Sequence, residues 1–227
     1  MVALAVALQA HTKGGSWVLR IEDVDTTRIV TGAEEDIIDS LKAHGFEWQE
    51  PVFHQSTRYQ RYQSVLEQLE ASRAAFACGC SRADLRHSRV YPGSCRNGLP
   101  PGKLARSVRL RVPDRNIQFF DHVVGIFEHN LANEVGDFVI RRADGCFAYQ
   151  LAVVLDDADQ VITEVVRGAD LLDSTPIQIF LQETLGLAPL NYLHLPLLVG
   201  SDAQKLSKRN FSNPVDNENP LIGLRLA

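Results

Sequence analysis

The chain has 227 residues, 45% hydrophobic and 22% charged, with a formal net charge of −5. That length allows one large domain or a domain with an insertion, and the composition is that of an ordinary globular protein. No apolar run is long enough to span a bilayer, the start lacks the basic leader of a secretory signal, and the negative balance argues against a broad nucleic-acid-coating surface.

In chain order, Val2–Ala10 reads as helix, with no breaker before Gly14-Gly15. Trp17–Ile21 is a short strand that delivers Glu22, Asp23 and Asp25 at its carboxyl end. Such a cluster suits a cation, an ammonium group or a ribose hydroxyl, and Asp25 or Thr26 could equally cap the next turn. Helical periodicity covers Gly32 to His44 and stops at Gly45, then resumes over Thr57–Ser72 with Tyr62, Val65, Leu66 and Leu69 on one face.

The character then changes. Three of the four cysteines, Cys78, Cys80 and Cys95, fall close together, which suggests a metal site in a reducing compartment. Two thiolates one residue apart with a third returning after a loop form a zinc-like pattern, whose fourth ligand is His87, Tyr91 or a water; three unrelated buried cysteines is the plainer alternative. Cys146 is expected to stand apart. Ser107–Val112, Gln118–Asp121 and Val123–Phe127 read as short strands of a small antiparallel element, continued by Asp137–Arg142 to a turn at Asp144-Gly145. Phe76 to about Gly145 therefore reads as an insertion that carries the metal.

Beyond it, Leu151–Leu155 and Val161–Val166 read as two buried strands around an acidic turn, Asp156-Asp157-Ala158-Asp159. Tyr149 opens the first run and Arg167 closes the second. A buried arginine at a strand's carboxyl end needs an anion, either a ligand or an internal partner such as Asp156 or Asp157. Ser174 and Pro176 mark a helix start, with the helix running Ile177–Leu185 to Gly186. Tyr192–Val199 is a further buried strand. Lys205, Lys208 and Arg209 come next in a cationic loop suited to polyphosphate, or in a plain basic surface turn.

Taken together, RIEDVDTTR (20–28), CGC…YPGSC (78–95), GDFVIRRADGCFAYQLAVVLDDA (136–158), VVRGADLLDSTPIQ (166–178), YLHLPLL (192–198) and KLSKR (205–209) occur in the order seen in class I glutamyl-type aminoacyl-tRNA synthetases. The chain resembles that family over essentially its whole length, and within it the short branch without an anticodon-binding domain. The resemblance implies an α/β fold, a Rossmann-like class I synthetase core interrupted by a zinc-bearing insertion. Residues 1–75 and 148–200 would be the two halves of the core, 76–147 the insertion, and 201–227 the KLSKR loop and the start of a helical segment.

The resemblance also implies an activity: glutamate is activated with ATP and Mg2+, and the glutamyl group passes to queuosine of tRNA(Asp). Arg167 would pair with a glutamate carboxylate, Tyr149 would hydrogen-bond the amino acid, and Glu22 would meet its ammonium group. Lys208 would stabilise charge on the ATP phosphates, with Lys205 supporting the loop. Cys78, Cys80, Tyr91 and Cys95 would hold one structural zinc. A cytoplasmic monomer that touches no membrane is expected. The family's R-F-A-P-S-P-S/T-G segment and His-Ile-Gly-His-like turn are expected upstream of Met1, and further residues past Ala227. Two other readings fit the same residues: a fragment of a glutamyl-tRNA synthetase, and an inactive module that binds tRNA or a protein.

Overall fold

The computed structural model describes residues 1–200 and 215–226. Helix α1 (Val2–Thr12) lies where its helix formers place it. The first strand, β1, is only Arg20–Ile21, and it pairs in parallel with β2 (Phe53–His54). Between them runs α2 (Ala33–Ala43), ending at Gly45 with φ 76°. Helix α3 (Tyr59–Ala71) continues from a short 3-10 turn and buries Tyr62, Val65, Leu66 and Leu69, the face its periodicity predicts.

Two sheets come next, and they separate strands that the sequence reads as one element. Strands β3 (Ala75–Cys78), β4 (Ser107–Leu110) and β7 (Phe138–Arg141) form one antiparallel sheet in the order β3-β4-β7. The hairpin β5 (Asn116–Asp121) and β6 (Gly125–Asn130) belongs elsewhere. It joins β8 (Glu164–Gly168) and β9 (Asn191–Leu195) in a second sheet ordered β6-β5-β9-β8, in which β5, β9 and β8 are parallel neighbours. A one-turn helix, α4 (Leu131–Glu134), links β6 to β7 and is capped by the Asn130 side chain.

The expected strand at Leu151–Leu155 is instead the middle of a helix, α5 (Tyr149–Asp159). Every residue from Leu151 to Asp157 is buried, so the helix is covered all round and shows no polar stripe. A continuous apolar run of that length looks the same in a buried strand and a buried helix. The acidic residues read as a turn are the helix's last turn. Asp156 accepts from the Tyr62 hydroxyl (2.6 Å) and the Gln55 amide (2.9 Å), and Asp157 pairs with Arg20 (2.6 Å). Val161 is not in the following strand: it is exposed, with φ 55°, at the helix's left-handed exit.

Helix α6 (Thr175–Leu185) has Pro176 in its first turn and Gly186 in the left-handed conformation just past its end. Ser174 makes no capping hydrogen bond, because a 3-10 turn over Ala169–Ser174 runs straight into the helix and leaves Ser174 itself helical. The larger of two core clusters draws on α3, β4, β7, α5 and α6, with Leu66, Leu110, Ile140, Leu151, Leu155 and Leu181 almost fully buried, and the smaller holds Phe76, Cys78 and Cys95. Helix α1 packs on β8, tied by Gln9 and Lys13 to Glu164. A final helix, α7 (Pro220–Leu226), ends the described residues, among which no helix is long and apolar enough to cross a membrane. Three parallel strand pairs flanked by helices, with antiparallel additions, make this an α/β fold.

Candidate functional site

Two groups of chemically active side chains lie on this frame. The first is the sulfur cluster at the end of β3. The sulfurs of Cys78, Cys80 and Cys95 all lie within 4.8 Å of one another, all three are free thiols, and Cys146 is not among them. Two backbone approaches bring them together. Gly79 lets the Leu104 carbonyl come so near that an added Cβ would sit 2.8 Å from its oxygen. Gly136, at φ 72°, leaves no room for a side chain against the Tyr91 backbone nitrogen, 2.9 Å from where a Cβ would be. Tyr91 is thereby pressed into the cluster.

The Tyr91 hydroxyl sits 3.5 Å from the Cys78 sulfur and 4.0 Å from that of Cys80, and accepts the Cys95 backbone N–H at 2.9 Å. His87 is exposed, and its Nε2 meets the neighbouring Arg86 instead. The Cys80 and Cys95 sulfurs are 3.7 Å apart. A tetrahedral ion with metal–sulfur bonds of about 2.3 Å separates its sulfurs by about 3.8 Å, so the donor set and its spacing are compatible with zinc.

Burial opposes ionisation of Cys78, but hydrogen bonds from Tyr91, the Cys80 backbone and Arg109 outweigh it and hold the thiol at about 7. Burial and then the neighbouring sulfurs of Cys95 and Cys78 push Cys80 up to about 11. Such a cluster holds one thiolate readily and resists a second unless a cation arrives. Arg109 was not marked by its sequence, yet its Nε–H donates to the Cys78 sulfur at 3.3 Å and its Nη1 to the Asp137 carbonyl at 2.7 Å.

The second group gathers at the carboxyl ends of β1 and β8 and the first turn of α5. Arg167 is 8% exposed on β8, and the two carboxylates considered for it are taken. Asp156 is bound by Tyr62 and Gln55, with Arg58 at 3.4 Å, and Asp157 by Arg20. Arg167 instead donates from Nε to His194 Nε2 (3.0 Å) and from Nη2 to the Thr175 hydroxyl and the Gln178 amide oxygen (2.7 Å each). Among the described residues it forms no carboxylate ion pair, and its Nη1 makes no hydrogen bond.

Glu22 lies just past β1 and is 42% exposed, with Arg20 Nε 3.7 Å away. Burial raises its carboxyl, while Arg20 pulls it down and Asp157 and Asp156 push it up; Arg167 also lowers it from across the site. Tyr149 is the first residue of α5. Burial raises its phenol, the Glu22 charge adds to the rise, and Arg167 opposes it. Glu22, Tyr149 and Arg167 thus lie within electrostatic reach of one another, a negative, a neutral and a positive group. Lys205 and Lys208 lie outside the described residues.

Sequence reasoning passed over Arg20, Thr175, Gln178, His194 and Asp121, all of which brace this group. One signal was available: a histidine in the middle of the apolar run YLHLPLLV is out of place unless it is bonded.

Comparison with known proteins fits this geometry. The family of tRNA synthetases class I (E and Q), catalytic domain, matches residues 2–98 and 96–219. A glutamyl-Q tRNA(Asp) synthetase of Ectopseudomonas mendocina is 50% identical over 225 residues, covering 98% of this chain and 76% of that protein. The protein of the same name from Geobacter sulfurreducens is 47% identical, with 92% and 70% covered. The crystal structure of a glutamate tRNA ligase from Elizabethkingia meningosepticum, in complex with its amino acid, superposes with a TM-score of 0.81 at 29% identity. It covers 94% of this chain and 50% of that one.

Proposed function

Because the chain belongs to the class I tRNA synthetases of the E and Q type, we propose that it activates glutamate with ATP and transfers the glutamyl group to queuosine of tRNA(Asp). The observation that carries this reading is the match, along nearly the whole chain, to proteins named glutamyl-Q tRNA(Asp) synthetase.

In the first step a glutamate carboxylate oxygen attacks the α-phosphorus of ATP, forming the mixed anhydride and releasing pyrophosphate. In the second a hydroxyl of the queuosine ring attacks the activated carbonyl, and AMP leaves. Arg167 binds a glutamate carboxylate through the N–H groups of its Nη1, and its lack of a carboxylate partner among the described residues supports that role. Glu22 meets the ammonium group, and Tyr149 hydrogen-bonds the amino acid between the two. Lys208, backed by Lys205, stabilises the charge that builds on the phosphates as the bond to pyrophosphate breaks. Mg2+ enters with ATP.

Cys78, Cys80 and Cys95, with the Tyr91 oxygen, would hold one zinc ion. Bound there, it supplies a structural cross-link and no chemistry to the reaction. Residues 76–147 form the metal-bearing insertion, 1–75 and 148–200 the two halves of the core, and 201–227 the phosphate-binding loop and the start of a helical segment. The protein acts as a monomer in the cytoplasm.

The test is transfer of labelled glutamate to tRNA in the presence of ATP. Label should appear on tRNA(Asp) that contains queuosine and not on the same tRNA with guanosine in its place. Label on tRNA(Glu) irrespective of queuosine would overturn the acceptor assignment.

A further inference from the structure

Arg167 is braced by a chain of buried groups that begins on another strand, where Asp121 stands 73 positions before His194. Asp121, the last residue of β5, is fully buried and acts only as an acceptor. Its Oδ1 takes the N–H groups of Val123 (2.9 Å) and Val124 (2.8 Å), and its Oδ2 takes the His194 N–H (3.0 Å) and lies 2.6 Å from His194 Nδ1. His194, on β9, is also fully buried, and its Nε2 is 3.0 Å from Arg167 Nε. A guanidinium N–H can only donate, so His194 Nε2 carries no proton there, and the ring's one proton sits on Nδ1, facing Asp121. Strands β8 and β9 are parallel neighbours with Arg167 opposite His194, which puts both side chains on one face of the sheet.

We propose that Asp121 and His194 are positioning residues for the substrate-binding arginine: Asp121 fixes the Nδ1–H form of His194, whose bare Nε2 then locks the Arg167 guanidinium in the plane needed for a substrate carboxylate. The device has a reason. An arginine side chain turns about several carbon torsions and can swing, and a charge-assisted hydrogen bond to a carboxylate tolerates little error in its direction. Thr175 and Gln178 hold Nη2, His194 holds Nε, and Nη1 is left for the ligand. A histidine in the Nδ1–H form supplies an acceptor without placing a full negative charge against Arg167. Such a charge would saturate the arginine and compete with the substrate. The burial of the ring, which disfavours its charged form, agrees with that neutral state.

The assignment rests on reading Arg167 as the glutamate-binding arginine, and two measurements separate the failure of one from the failure of the other. The first needs no ligand. Long-range nitrogen–proton NMR spectra of the wild-type protein should show His194 in the Nδ1–H form. In Asp121→Asn the Val123 and Val124 N–H groups hold the amide oxygen at the Oδ1 position, so the amide NH2 faces His194 and should drive the ring to the Nε2–H form, which opposes the Arg167 donor. A wild-type His194 found in the Nε2–H or doubly protonated form overturns the inference.

The second measurement is calorimetric titration with glutamate and, separately, with ATP. Asp121→Asn should weaken glutamate by between about 10-fold and 10²-fold and leave ATP unchanged. His194→Gln, which can offer an amide oxygen to Arg167, should retain most of the glutamate affinity that His194→Leu loses. Equal affinities in those two variants would overturn the inference even if Asp121→Asn fails to fold. A wild-type protein that binds no glutamate rejects the function instead, and the tautomer spectra then decide the positioning claim alone.

Discussion

Arg109 lays its guanidinium over the ring of Tyr91, 4.0 Å from the ring centroid. It thereby holds the phenol against the sulfur cluster while its Nε–H reaches the Cys78 sulfur. Burial and the neighbouring Cys78 raise the Tyr91 phenol well above its usual range, so without a cation the hydroxyl keeps its proton. Protein purified under reducing conditions without chelator should therefore carry one zinc ion per chain by metal analysis, and Cys78→Ser should carry none. Arg109→Met should keep zinc but lower its affinity by about 10–100-fold in a chelator competition, the usual cost of losing a group that orients ligands. Absence of zinc from the wild-type protein sinks the metal assignment.

The proposed amino-acid site is tested at Arg167 itself. Arg167→Leu removes the only buried cation of the group that faces Glu22 and Tyr149 without a carboxylate partner among the described residues. Glutamate binding should weaken by about 2–5 kcal/mol, the range for truncating one member of a buried charge pair. ATP binding measured in the same cell should change little. Unaltered glutamate affinity in a folded Arg167→Leu protein removes Arg167 from the site.

Val161 provides a test of stability alone. A β-branched residue with φ 55° is strained, and at 80% exposure its side chain gains little burial in return. Val161→Gly should stabilise the fold by about 1 kcal/mol, which in a chain of this size raises Tm by about 2–4 °C. An unchanged or lower Tm would show that the helix exit carries no such strain.

His54 ties β2 to α2 through a 2.7 Å hydrogen bond to Glu34, and that bond first of all raises the imidazole pKa. The folded state therefore holds the His54 proton more tightly than the unfolded chain. The stabilisation is fully present below the unfolded pKa of about 6.5 and fades as pH rises through the higher folded value. Comparing Tm for the wild type and His54→Gln from pH 5.5 upward, the wild type should lead at acid pH and the gap should close at alkaline pH. A gap independent of pH would refute the linkage.

Local chemistry was legible in the sequence; pairing between distant segments was not. The face of α3, the Pro176 start and Gly186 stop of α6 and the convergence of three cysteines can all be read from residues close to one another in the chain. The helix at Leu151–Leu155 was hidden because all its sides are covered, so periodicity, the main local signal, had nothing to report. Strands β5 and β6 read correctly as antiparallel strands, but no local feature says which sheet they join. That choice brings Asp121 beside His194, and so the bracing of Arg167 could not be read from either neighbourhood alone.

The position of β5 also bears on how the chain folds as it leaves the ribosome. The β5–β6 hairpin closes over a short turn and can form early, with Asp121 already gripping the Val123 and Val124 N–H groups inside that turn. Strand β8 emerges later, and its cation has no buried acceptor on the sheet until β9 slots between β5 and β8. The entropy of closing that long loop is met only when β9 docks and delivers His194 to both neighbours at once. Docking of β9 is thus the final pairing event of this sheet, and a nascent chain stalled before residue 191 would hold a finished hairpin and an arginine that lacks its His194 contact.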